Sequence, residues 1–138
     1  MGETPDIPGA DEVVAWFGSW PTFHDAEVLS ITLDRSSGSQ VVIHAFQGTS
    51  EVDPRGHVLF KHAIVTFALD GFPLDEEGIT NTRIDFFNHQ NVLSSAWIEK
   101  TSQGHVLRLD GIFGVDGSIS CKRLSVKLEP ATSDGKRV

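Results

Sequence analysis

Cysteine is nearly missing from this chain: Cys121 stands alone among 138 residues, so no disulfide can form within it. A disulfide-stapled secreted scaffold is thereby excluded, and the composition suits a reducing cytosol, which makes cytoplasmic the expected location. Long apolar runs are missing too. No stretch approaches the roughly 18 apolar residues that a membrane helix needs, so no membrane partner is expected. Residues 1–9 carry Glu3, Asp6, Pro5 and Pro8 but neither a basic patch nor an apolar run, and they do not read as a signal peptide. Cationic residues are scarce. Lys plus Arg number 11 against 19 Asp plus Glu, a formal charge of -8. Nucleic-acid binding needs a basic footprint and is disfavoured. An acidic surface instead serves solubility and speeds the approach of a basic partner.

What is present suffices for one folded domain. The apolar fraction of 39%, with nine Phe and three Trp, can fill an ordinary core. A chain of this length buries enough surface to need neither metal nor disulfide, and no break in composition divides it. The expected organisation is a flexible N-terminus over 1–9, one β-rich domain over 10–130, and a flexible polar tail over 131–138.

The spacing predicts a helix over residues 10–17, with Asp11 as its cap, Glu12 in its first turn and Gly18 ending it. Val13, Val14, Trp16 and Phe17 give it one wide apolar face. From Ala26 the period changes to two: Leu29, Ile31 and Leu33 alternate with Ser30, Thr32 and Asp34, as in a half-buried strand. Residues 36–39 read as a turn, 41–46 as the returning strand, and 48–56, with Asp53-Pro54 and Gly56, as a loop. Residues 57–69 are apolar on both faces and read as a central strand. Further strands are expected at 79–87, 92–100, 105–113 and 119–128. No helix separates them, which argues against a βαβ enzyme fold. The expected class is α+β, mainly β: a short N-terminal helix followed by about seven mostly antiparallel strands in a curled sheet or sandwich.

The most distinctive segment is Trp20-Pro21-Thr22-Phe23-His24-Asp25-Ala26-Glu27. An adjacent His and Asp suit metal-dependent hydrolases, where imidazoles and carboxylates around metal ions activate water. On that alternative His24, Asp25 and Glu27 act with a distant histidine. Such sites draw ligands from several helices, whereas the flanks here read as strand. The plainer reading is structural: Phe23 packs beneath the sheet, His24 fixes a turn, and Asp25 accepts loop N–H groups.

Other chemistry is thinly represented. Among His44, His57, His62, His89 and His105 no tight ligand spacing recurs, and the five-residue step from His57 to His62 points the two to opposite strand faces. Neither a Cys-x-x-Cys nor a His-Glu-x-x-His occurs, so no metal and no cofactor is expected. Cys121 falls within a strand, where a small buried apolar role is the default. No Gly-x-Ser-x-Gly nucleophile turn exists, and Gly111-Ile112-Phe113-Gly114 lacks the lysine and helix of a phosphate loop. No catalytic set is legible. Acids gather at Asp70, Asp75, Glu76 and Glu77 without the ligand spacing of a calcium loop. They read as a solvated loop, and as the first place where a basic partner would dock.

The segment from Trp20 through Glu27 to Val28 resembles the start of the immunity protein 50 family. The stretches Asp85-Phe86-Phe87-Asn88-His89-Gln90-Asn91-Val92 and Leu109-Asp110-Gly111-Ile112-Phe113-Gly114-Val115-Asp116-Gly117-Ser118-Ile119 fit the same pattern, and the resemblance spans roughly residues 10–130. It implies a bacterial protein encoded beside a polymorphic toxin that neutralises this cognate toxin by direct binding, without catalysis. Trp20, Phe23, His24, Asp25 and Glu27 are then family-motif residues of structural role, and no catalytic residue carries over. Affinity in such a protein comes from a few aromatic anchors, and Trp20, Phe72 and Trp97 are the candidates wherever they are exposed.

Overall fold

The structure is a computed structural model that describes residues 3–36, 38–73, 79–84, 87, 89–112 and 114–138, with backbone alone for 79–81. Among the described residues one helix, α1 (Ala10–Phe17), precedes eight strands. These are β1 (Glu27–Thr32), β2 (Ser39–Val52), β3 (Val58–Asp70), β4 (Ile79–Arg83), β5 (Leu93–Thr101), β6 (Gly104–Gly111), β7 (Asp116–Cys121) and β8 (Arg123–Ala131). They form two four-stranded antiparallel sheets, ordered β1-β2-β3-β8 and β4-β7-β6-β5, and among the described residues neither closes into a barrel. The α+β, mainly β class holds, and β3 is interior to its sheet as its two-sided apolar pattern requires. Val41 and Ile43 of β2, Val65 and Phe67 of β3, Leu107 of β6 and Ile119 of β7 belong to one buried cluster, which Val13 of α1 joins.

The helix ends where the sequence places it. Gly18 adopts φ 92 and its N–H returns to Val14 O at 2.7 Å. Its start differs, because Gly9 and not Asp11 is the cap. Gly9 has φ 90, and a Cβ there would lie 1.7 Å from Val126 O, so only glycine fits. Asp11 sits in the first turn, where its charge still favours the helix N-terminus.

The strand count is one higher than expected because residues 119–128 are not one strand. β7 ends in the second sheet at Cys121 and β8 begins in the first at Arg123. At the crossing, Lys122 N–H donates to Gly71 O at 2.8 Å and to Asp70 O at 3.2 Å. The expected alternation in β1 also fails. A bulge between Val28 and Ser30 shifts the register, so Val28 and Ile31 pack on the core while Leu33 is exposed. Residues 48–52, expected in a loop, continue β2. The turn that follows is held by Asp53 Oδ1, which accepts N–H groups of Arg55 and His57, both at 2.9 Å.

Both end segments, expected to be flexible, are tied to β8. Val126 N–H donates to Pro8 O at 2.9 Å, and Ile7 is buried in the core. After β8 the chain turns back: Gly135 N–H donates to Thr132 O, Thr132 N–H donates to Lys136 O, and Ala131 pairs with Arg137. Arg137 Nε then reaches Glu129 Oε1 at 3.0 Å. Backbone hydrogen bonds thus outweigh the polar composition of residues 131–138. Among the described residues no helix is long and apolar enough to cross a membrane.

Candidate functional site

The Trp20–Glu27 segment forms a seam between the two sheets. Ala96 N–H donates to Thr22 O, Asp25 N–H to Leu93 O, Leu93 N–H to Ala26 O, and Val28 N–H to Asn91 O, all between 2.8 and 2.9 Å. The edge strand β1 is in this way stitched to the start of β5. Inside the seam Phe23 is buried, with edge-on ring contacts to Phe17, Trp20 and Phe67. Its backbone holds φ 61, a left-handed conformation that is strained for an aromatic residue. Ala26 N–H closes a turn onto Phe23 O at 3.1 Å, and Asp25 within it holds φ 64. The third position of such a turn favours Gly or Asn, and Asp tolerates it better than most residues.

His24 and Asp25 point outward, with side chains 64% and 52% exposed. His24 Nδ1–H donates to Ser94 O at 2.9 Å, and its Nε2 lies 3.5 Å from Asp25 Oδ1. Glu27 turns elsewhere: it accepts a long 3.5 Å contact from Gln90 and stands across the ladder from His44. Among the described residues no group of three or more His, Cys, Asp and Glu is placed to hold a metal ion. Asn91, which the sequence offers only within the stretch 85–92, is the buried keystone of the seam. Its Oδ1 accepts Val115 N–H at 2.7 Å, and its amide donates to His89 O at 3.0 Å.

The first sheet extends past its neighbours as a two-stranded ribbon. β1 pairs with β2 only as far as His44, and β8 pairs with β3 only as far as His62, so no third strand among the described residues flanks 46–61. One ribbon face is fastened to the helix end. Gln47 donates to Phe17 O at 3.1 Å, and Lys61 donates to Trp16 O at 2.5 Å while lying 4.2 Å over the Trp16 ring. A cation at the helix C-terminus is favourable to its dipole, and the helix has no basic residue of its own in that turn. The opposite face carries Phe46 and Phe60 in edge-on contact, 38% and 51% exposed, with exposed Val58 beyond them.

At the base of that same face lies a histidine pair. His44 Nε2 and His62 Nδ1 are 3.0 Å apart, one ring nitrogen donating to the other, and the His62 ring also meets Phe46. His44 is only 9% exposed. Burial, seconded by the neighbouring His62, holds its imidazole below the usual histidine range, and the acids Glu27 and Asp134 pull only partly the other way. These two histidines sit diagonally across β2 and β3. A hairpin register would have revealed them, but the reading of 48–56 as a loop concealed that register.

The expected acidic contact surface is only partly within view. Asp70 is not a free acid, since Arg123 clasps its Oδ2 from Nη2 at 2.6 Å and from Nε at 3.1 Å. Asp75, Glu76 and Glu77 lie outside the described residues. A hollow of about 440 Å³ opens beside Asp70, with Ile7, Pro8 and Leu124 among its walls. His105 lines it, and its Nδ1 is buried without a partner among the described residues. Burial pushes the Cys121 thiol up to about 11, which keeps it an unreactive core group. Of the expected aromatic anchors, Trp20 is buried and unavailable and Phe72 is half-buried against the core. Trp97 is exposed on the second sheet, its indole N–H donating to Glu99. No family model, no curated protein and no solved structure matches the chain.

Proposed function

We propose that this protein is a binding module that neutralises a cognate toxin domain by occlusion. The observation that carries this reading is the exposed apolar stripe of Phe46, Phe60 and Val58 on the projecting ribbon. Contiguous exposed aromatics on a backed two-stranded platform are characteristic of a protein contact. The backing is substantial, because the other ribbon face is fastened to α1 by Gln47 and Lys61. The formal charge of -8 adds attraction for a basic partner and raises its association rate. The seam supports the same reading: His24 and Asp25 serve a turn that joins the sheets, which leaves binding as the work of the surface. The resemblance of that segment to an immunity family supplies the class of partner.

The test is co-expression with the toxin domain encoded beside this protein's gene, followed by purification through a tag on the toxin. A 1:1 complex at micromolar concentration is expected, weakened at least about tenfold by Phe60→Asp, since an unpaired charge in a buried contact costs well over 1.4 kcal/mol. Absence of a complex at micromolar concentration overturns the proposal. A complex indifferent to Phe60→Asp moves the contact away from the ribbon.

A further inference from the structure

The histidine pair lies directly beneath the C-terminal turn. Gly135 packs on the His44 ring so closely that a Cβ there would stand 3.1 Å from Nδ1 and 3.4 Å from the adjoining ring carbon. The turn is held by its own short ladder: Thr132 N–H to Lys136 O at 2.8 Å, Gly135 N–H to Thr132 O at 3.0 Å, and Val138 N–H to Pro130 O at 3.3 Å. It therefore rests on β8 along one side and on an imidazole beneath. Val42 and Ile64, on the same sheet face as His44 and His62, are buried as well.

We propose that the His44–His62 pair and the turn at Gly135 form an acid-released latch, which closes the base of this sheet face at neutral pH and opens it on acidification. The hydrogen bond between the rings requires one N–H and one lone pair. Of the four ring nitrogens in a neutral pair, two carry protons. A first added proton can sit on an outer nitrogen and leave the hydrogen bond intact. A second must occupy the remaining lone pair, so two N–H groups then face each other across 3.0 Å and two cations adjoin. One of those cations would be buried under Gly135.

The surrounding charges do not remove this penalty. Glu27 faces His44 from β1 and Asp134 faces it from the turn, and both favour the charged ring. Glu129 of β8 is already occupied by Arg137 at 3.0 Å and by Lys127 at 3.6 Å, and Lys136 of the turn lies beside Asp134. Burial and His62 outweigh the two acids, so the closed state binds protons less readily than the open one. The sign follows from linkage: the closed state is favoured at and above neutral pH and is lost as pH falls through the usual histidine range. Release frees His44 and extends the apolar stripe of Phe46 and Phe60 toward the sheet centre. The latch is a property of the chain alone and does not depend on the proposed partner.

Amide hydrogen exchange on the full-length protein tests it, read at pH 7.5 and pH 5.0 with each rate divided by that of the unstructured chain at the same pH. Protection at Thr132, Gly135 and Val138 is expected to drop several-fold at the lower pH, because the open state takes up protons that the closed state excludes. Ile43 and Val65 in the sheet centre serve as the reference and stay protected, which separates local release from global unfolding. His44→Phe, which keeps a ring and removes the titrating group, is expected to abolish the pH step. Should that variant not fold, His62→Gln serves instead: it keeps a hydrogen-bonding partner, removes the second charge and at least halves the logarithmic step. Turn protection independent of pH in the natural protein, or an undiminished step in the variant that folds, overturns the latch.

Discussion

His24 and His44 stand in opposite relation to the sequence and the fold. His24 belongs to the most conspicuous string in the chain, beside an acid, and is largely exposed with one ring nitrogen tied to a backbone oxygen of the next sheet. His44 lies in an unremarkable apolar strand, yet it is buried, paired with a second imidazole and capped by a glycine turn. The comparison teaches that a distinctive local sequence can mark a demanding backbone geometry and not a reactive group. The seam needs Phe23 and Asp25 at positive φ within four residues of chain, and that requirement is local. A hydrogen-bonded imidazole pair across two strands is non-local, and its members are eighteen residues apart in sequence.

The comparison can be broken most forcefully at Phe23. If the seam is structural, its worth lies in this buried ring and not in the polar residues beside it. Phe23→Ala is expected to lower stability by about 3–5 kcal/mol, the range for truncating a buried aromatic. Urea unfolding monitored by Trp fluorescence would show it as a lowered midpoint with an unchanged slope. A loss below about 1 kcal/mol would mean that the aromatic cluster does not anchor the seam.

Much of the architecture was legible, and what was not shares one cause. The helix could be read because Val13, Val14, Trp16 and Phe17 repeat at helical spacing and Gly18 stops them, all within a few turns of chain. β5 and β6 were nearly placed because the turn between them is short. The errors fell where long-range pairing overrides a local pattern. Cys121 and Arg123 sit in one run of strand-forming residues, and only a slip of phase, from buried Ile119 and Cys121 to buried Leu124 and Val126, marks the change of sheet at Lys122. A single bulge after Val28 brings Val28 inward and breaks the period between it and Ile31, and Gly48 through Val52 reads as loop until β3 pairs with it. The candidate site suffered in the same way: His24 and Asp25 were visible, whereas the His44–His62 pair and the Phe46–Phe60 stripe exist only in the β2–β3 register.

A smaller effect sharpens the other half of the comparison. Gly135 adopts φ +78 against His44, so Gly135→Ala meets both backbone strain and a crowded ring. A left-handed conformation costs an alanine about 1–2 kcal/mol. The loss is expected to be concentrated in the turn, as faster hydrogen exchange at Thr132 and Val138 at pH 7.5, with the centre of the sheet little changed. Equal loss of protection throughout the sheet would show that the turn is part of the cooperative core and not a separable latch.

The smallest effects belong to the polar pair of the seam, and their signs are the informative part. Asp25 holds φ 64, which a glycine adopts freely, so Asp25→Gly removes strain of the order of 1–2 kcal/mol. The extra freedom of an unfolded glycine opposes this by about 0.4–1 kcal/mol. The expected net change is a stabilisation of about 0.5 kcal/mol. His24→Ala deletes one hydrogen bond from a mostly exposed ring and should move stability by no more than about 0.5 kcal/mol. Paired urea titrations of the two variants decide the matter. Destabilisation beyond about 1 kcal/mol by Asp25→Gly would show that the carboxylate holds the turn through its side chain and that the conformation alone does not explain the residue. A gain in stability from Asp25→Gly together with loss of the proposed toxin complex would place Asp25 in the contact surface, because selection would then be keeping a strained residue for its exposed carboxylate and not for the turn it forms.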